Sequence, residues 1–136
     1  MPVPYLACML MTAHFYALPP RVLPSIARVE GGSAGLVHRN NDGTADLGVM
    51  QINTLWVPLI AKVTNQNPAF TTARLIHDPC FSIAAGGAIL KAYLTETSGN
   101  LMLAIGDYHS HTRSLNLAYS AKVLTAANTL FGPAGG

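Results

Sequence analysis

Charge is scarce in this sequence. Of 136 residues, 10% are Asp, Glu, Lys or Arg, against about a quarter in an average soluble domain. Eight Lys and Arg stand against six Asp and Glu, for a net charge of +2, and no two basic residues are adjacent. Nothing here forms the basic stripe that tracks a phosphate backbone, so the composition excludes nucleic acid as a partner. The first 20 residues carry no charged side chain, but Pro2, Pro4, Thr12, His14, Pro19 and Pro20 interrupt them. They therefore fall short of the run of about 20 apolar residues that a membrane span requires. A secretory leader opens with positive charge, and the first basic residue is Arg21. If the protein is exported, its leader is expected to be missing from this chain, and residues 3–17 are expected to form a buried helix. Internal repeats, heptads and low-complexity tracts are also missing. The two cysteines, Cys8 and Cys80, are too few for a metal site of their own. Composition leaves two readings of them open, a pair of buried thiols or a disulfide across 72 residues.

Apolar residues, by contrast, make up 50% of the chain. That content and length suit one domain, residues 1–136, able to bury roughly two-thirds of its unfolded surface. The prolines and glycines punctuate it. Leu18-Pro19-Pro20 ends the first helix, and Val22, Leu23, Ile26, Ala27 and Val29 follow helical spacing up to Glu30, where Gly31-Gly32 stops the second. Asp42-Gly43 marks the turn of a small β-hairpin over residues 36–47. A helix is expected over 53–63, a loop over 64–70 and a short helical piece over 72–76. Asp78-Pro79 reads as an N-cap followed by proline at the first helical position, opening a helix over 79–97. Its central Ala84, Ala85, Gly86, Gly87 and Ala88 let another helix approach closely. Asn100 caps a helix over 101–109, and a last helix covers 115–130. The predicted fold is mainly α, a bundle of about six helices with one small hairpin.

Carboxylates are few enough to weigh singly. Asp78 is explained by capping, Asp42 by its turn, and Glu96 lies on a polar helix end, leaving Glu30, Asp46 and Asp107 as candidates for acid or base chemistry. Glu30 falls in the final turn of its helix, where the dipole disfavours negative charge. A carboxyl packed between a helix end and a hairpin has its pKa raised by desolvation. Such a group holds its proton near neutral pH and can donate it to a leaving oxygen.

Three segments occur in order: Ala27-Arg-Val-Glu30-Gly-Gly, Asp46-Leu-Gly-Val-Met-Gln-Ile-Asn53 and Ala104-Ile-Gly-Asp-Tyr108-His-Ser. They resemble the helix-ending glutamate, the G-[LV]-M-Q-I-N signature and the A-Y-N-A-G segment of the soluble lytic transglycosylase family. The resemblance covers about residues 8–119 and implies a lysozyme-like α+β fold, with the hairpin flanking an active-site cleft. His109 and Ser110 depart from the usual Asn and Ala. With the long hairpin, Asp78-Pro-Cys80 and the early Cys8, they resemble the specialised branch that accompanies type IV secretion, conjugation, pilus or type III secretion systems. The resemblance to that branch implies a Cys8–Cys80 disulfide and a periplasmic location.

It further implies that Glu30 is the sole obligatory acid/base for cleaving the β-1,4 bond between N-acetylmuramic acid and N-acetylglucosamine in peptidoglycan glycan strands. The products would be 1,6-anhydro ends, made without water and without a cofactor. Gln51 and the backbone around Met50 would bind sugar, Asn53 would cap the following helix or touch sugar, and Tyr108 would orient Glu30 or an N-acetyl group. His109 is expected at the rim or in a hydrogen bond. His109-x-His111 supplies two ligands, which do not make a metal site. Asp46 either caps the hairpin or stabilises an oxocarbenium ion, as in retaining glycosidases whose carboxylates sit roughly 5–5.5 Å apart. Asp107 is expected to be structural, and Trp56 to lie in the core or on the cleft rim. Two other functions fit the residues: a muramidase that hydrolyses the same bond with Glu30 and Asp46, and a wall-binding assembly subunit of low activity. The resemblance names components of a type IV or related secretion or conjugation machine as further partners.

Overall fold

The computed structural model describes residues 3–133. Helix α1, Leu6–Tyr16, ends in a left-handed residue, Ala17, before the two prolines. Helix α2, Val22–Glu30, turns Val22, Leu23 and Ile26 inward, takes Pro24 in its first turn and closes on Gly31 at φ 66°. Strands β1 (Val37–Arg39) and β2 (Ala45–Leu47) form the expected hairpin, paired antiparallel with His38 opposite Asp46. A 3-10 turn, Thr54–Trp56, leads into α3, Val57–Thr64. Then follow α4 (Pro68–His77), α5 (Pro79–Glu96), α6 (Leu101–His109) and α7 (Arg113–Phe131).

The result is the mainly helical α+β fold that the sequence implies, with four departures. First, α1 starts at Leu6 and buries one face only. Met9, Thr12 and Ala13 are inside, while Leu10, Met11 and Phe15 are exposed. A segment apolar all round carries no periodic sign of which side faces water. Second, the sheet has three strands in the order β1-β2-β3. β3, Ile52–Asn53, pairs antiparallel with β2, setting Leu47 opposite Ile52 and Asp46 opposite Asn53. Third, Asn53 consequently ends a strand as well as capping the 3-10 turn, its Oδ1 accepting from the Leu55 amide at 2.9 Å. Fourth, the expected loop over 64–70 contains the start of α4. Asn67 Oδ1 accepts from the Phe70 amide at 2.7 Å and Pro68 takes the first helical position, the same arrangement that Asp78 and Pro79 make one helix later.

Helix α5 is the centre of the packing. Ile83, Ala85, Gly86, Gly87, Ile89 and Leu90 are all buried, and α1, α4 and α6 pack around it. Gly87 is required there, because a Cβ at this position would collide with the Thr12 side chain of α1. The Cys8–Cys80 disulfide joins the same two helices, with Cα atoms 5.5 Å apart. Helix α7 lies against α6 and α2, a contact that brings residues near the end of the chain up to Glu30.

Candidate active site

Two close approaches set the position of Glu30. Gly31 donates its amide to the Ala27 carbonyl at 3.0 Å and turns the chain off the helix. Gly32 then passes so near the loop after β2 that a Cβ would collide with the carbonyl oxygens of Gly48 and Val49. The end of α2 is thus docked on the second motif. That motif is itself a tight β-hairpin, with Gly48 at φ 70° and Gln51 at φ 52° in its loop. Met50 anchors it from below: the side chain is fully buried, the amide donates to Ser82 Oγ at 3.2 Å, and the carbonyl accepts from the Tyr108 hydroxyl at 2.9 Å.

A cleft of about 250 Å³ opens between these elements. The sheet lines one wall with Asn40, Thr44, Asp46, Gln51 and Asn53, and Glu30, Trp56, Tyr108 and His109 line the other side. The sheet wall is a connected polar surface. Asn53 Nδ2 donates to Asp46 Oδ1 and to Thr44 Oγ1, each at 3.1 Å, and the Thr44 hydroxyl donates to Asp42 Oδ1 at 2.6 Å. Gln51 turns its Nε2 onto the Gly48 carbonyl at 3.0 Å, which stiffens its own loop.

Glu30 is largely buried, and burial pushes its pKa above the ordinary glutamate value. The hydrogen bond from Tyr119 opposes that shift, and the negative charge of Asp46 across the cleft adds to it. Tyr119 is the residue that sequence reasoning missed. It lies on α7, is 6% exposed, and its hydroxyl donates to Glu30 Oε2 at 2.6 Å across 89 positions of sequence. Burial and the Glu30 charge push its phenol far above the usual tyrosine range, so it stays a donor. One signal was available: on a helix whose buried face runs Asn116, Tyr119, Ser120 and Val123, a tyrosine must find a partner for its hydroxyl.

The structure therefore brings together Glu30, Asp46, Gln51, Asn53, Tyr108 and His109. It leaves Met50 beneath the cleft, where its backbone is taken up by Ser82 and Tyr108. Tyr108, expected to orient Glu30 or an N-acetyl group, lines the cleft and donates its hydroxyl to the Met50 carbonyl. Asp107 is buried and hydrogen-bonded to Asn116 Nδ2 at 2.8 Å, the structural part expected of it. Trp56 is both rim and packing residue, set edge-on to Tyr93 with centroids 6.0 Å apart. The two histidines of His109-x-His111 diverge. The His109 ring lies parallel to the Tyr119 ring, while His111 Nε2 pairs with Glu96 Oε1 at 2.9 Å. Among the described residues the group able to meet around one ion is Glu96, Asp107 and His111, with ligand atoms within 4.8 Å of one another. These three do not line the cleft.

A largely buried carboxyl whose pKa is raised, in a cleft shared with a second carboxylate and a polar wall, is suited to delivering a proton to a bound ligand's oxygen. Comparison with known proteins bears on the family of the chain. The family model described as "Transglycosylase SLT domain" matches residues 7–126. The chain is 29% identical over 106 residues to "Invasion protein IagB" of Salmonella typhimurium, covering 77% of this chain and 62% of that protein. It is 28% identical over 114 residues to "Protein IpgF" of Shigella sonnei, covering 81% of this chain and 71% of that protein. The chain thus spans about three-fifths of the length of the first of these relatives. The extent of the family match, together with the mainly helical fold and the cleft at the end of α2, establishes that this chain belongs to the transglycosylase SLT domain family.

Proposed function

We propose that the protein is a peptidoglycan lytic transglycosylase with Glu30 as its only obligatory acid/base. The observation that carries this reading is the Glu30 carboxyl itself, desolvated at the end of α2, held by one short hydrogen bond and facing a sugar-sized polar cleft. The Glu30 proton passes to the oxygen linking C1 of N-acetylmuramic acid to C4 of N-acetylglucosamine, and the C1–O bond breaks. The substrate's own N-acetyl oxygen bonds C1 and takes up the developing positive charge, so no enzyme nucleophile is required. The Glu30 carboxylate then takes the proton of the muramyl C6 hydroxyl, that oxygen attacks C1, and the N-acetyl oxygen is released. Glu30 ends protonated, one product carries a 1,6-anhydro ring, the other a free C4 hydroxyl, and no water is consumed.

Asn40, Thr44, Gln51 and Asn53 supply donors and acceptors for hydroxyl and N-acetyl groups along the sheet wall. Asp46 would assist by adding its negative charge to the burial that raises the Glu30 pKa. The substrate would be glycan strands outside the cytoplasm. The cellular task would be a local opening in the wall for a secretion, conjugation or pilus apparatus, consistent with the likeness to a protein named for invasion. Digestion of purified peptidoglycan followed by mass spectrometry tests the reading. Products one water lighter than hydrolysed muropeptides are expected, and Glu30→Gln should lower their yield by about 10³-fold or more. Hydrolysed ends instead would make the protein a muramidase. Glycan binding with a Glu30→Gln variant as active as wild type would make it a wall-binding subunit.

A further inference from the structure

We infer that His109 is a positioning residue for Glu30, acting through Tyr119. This rests on the proposed role of Glu30 and extends it to the residue at which the chain departs from the A-Y-N-A-G pattern. Glu30 accepts one side-chain hydrogen bond among the described residues, from Tyr119. The usefulness of that bond depends on where the phenol ring is held. Rotation of a tyrosine ring about its own axis leaves the hydroxyl in place, so the hydroxyl leaves a partner only when the whole ring tilts about χ1. The His109 imidazole packs on one face of the Tyr119 ring and blocks a tilt in that direction. The two rings are 8° from parallel with centroids 5.0 Å apart, an offset stack of the kind aromatic pairs prefer. His109 ends α6 and Tyr119 lies on α7, so the stack also ties together the two helices that carry the cleft's Tyr108 and the Glu30 partner. An asparagine at 109 offers no ring to stack.

The titratable groups acting on Glu30 are Tyr119 from α7 and Asp46 from β2, and Glu30 in turn acts on Tyr108 of α6. Because the Tyr119 bond lowers the Glu30 pKa, loosening it raises the titration midpoint of the Glu30 carboxyl. NMR of the substrate-free protein reads this without any activity. His109→Ala should raise the midpoint and lower kcat by on the order of 3- to 10-fold with KM unchanged, the loss that one aromatic pair is worth. His109→Phe, which keeps a ring but no charge, should restore both. His109→Ala combined with Tyr119→Phe should be no worse than Tyr119→Phe alone, because both act on one bond. Two results would overturn the inference. One is a wild-type midpoint in His109→Ala. The other is a midpoint in His109→Phe raised as far as in His109→Ala, which would assign the effect to imidazole charge. A rise in KM alone would also overturn it, making His109 a sugar contact. If Glu30→Gln retains full activity, the proposed function fails, and the NMR midpoints still decide the role of His109.

Discussion

The proton on Glu30 answers to three neighbouring influences of unequal sign. Burial raises the pKa most, the Tyr119 hydroxyl lowers it, and Asp46 raises it again. Asp46→Asn removes the last of these and should move the alkaline limb of the pH–activity profile to lower pH. If Asp46 acts only through its charge, activity at neutral pH should fall by about tenfold at most. A loss of about a thousandfold would identify it as a reacting group of a hydrolase. The raised pKa also bears on stability. The folded protein holds the Glu30 proton to higher pH than the unfolded chain does, so stability falls as pH rises from the ordinary glutamate value through the raised one. Glu30→Gln has no such dependence and still offers an oxygen to Tyr119. It should therefore melt above wild type at pH 7 and lose that advantage at pH 3, a comparison calorimetry can make. Glu30 was legible as a residue because a carboxylate at a helix C-terminus followed by two glycines opposes its own dipole. Tyr119 was not, since the bond it makes spans 89 positions.

The second motif reads in sequence as a signature and in the fold as a hairpin whose loop is the floor beneath Glu30. Its two pairs, Leu47 with Ile52 and Asp46 with Asn53, are too few to show a period, so β3 passes for the start of a helix. The Asn67-Pro68 start of α4 carried the same cap signal as Asp78-Pro79, but lay inside a polar stretch that resembles a loop. At this scale the contact most exposed to test is the docking of α2 on the hairpin. Gly32→Ala pushes a methyl into the Gly48 and Val49 carbonyls, and both obstacles are backbone that cannot rotate away. Urea denaturation should show a loss of about 1–3 kcal/mol, typical of overpacking. kcat should fall with it, because the shift moves Glu30 relative to Asp46.

Across the molecule, α5 is the part on which the rest is mounted, and the disulfide fastens its first turn to α1. Closing a loop of 72 residues removes conformational entropy from the unfolded chain worth about 4 kcal/mol. Replacing Cys8 and Cys80 together by Ser should lower Tm by roughly 10–15 °C. Neither cysteine lines the cleft, so the reduced protein should keep its activity below the new transition. Retention of full thermal stability would show that the unfolded chain is constrained in some other way.

Local chemistry settles much of this protein in advance. Prolines, glycines and Asx caps mark most helix ends, and three short segments in order carry the family likeness. These features act within a few residues of where they are written. What they leave open is every pairing across distance: which face of α1 is wet, that Tyr108 serves Met50 while Tyr119 serves Glu30, and that His109 and His111 part company. Such pairings depend on how helices far apart in the chain pack around α5. A buried hydroxyl or carboxyl takes the partner that packing brings within reach.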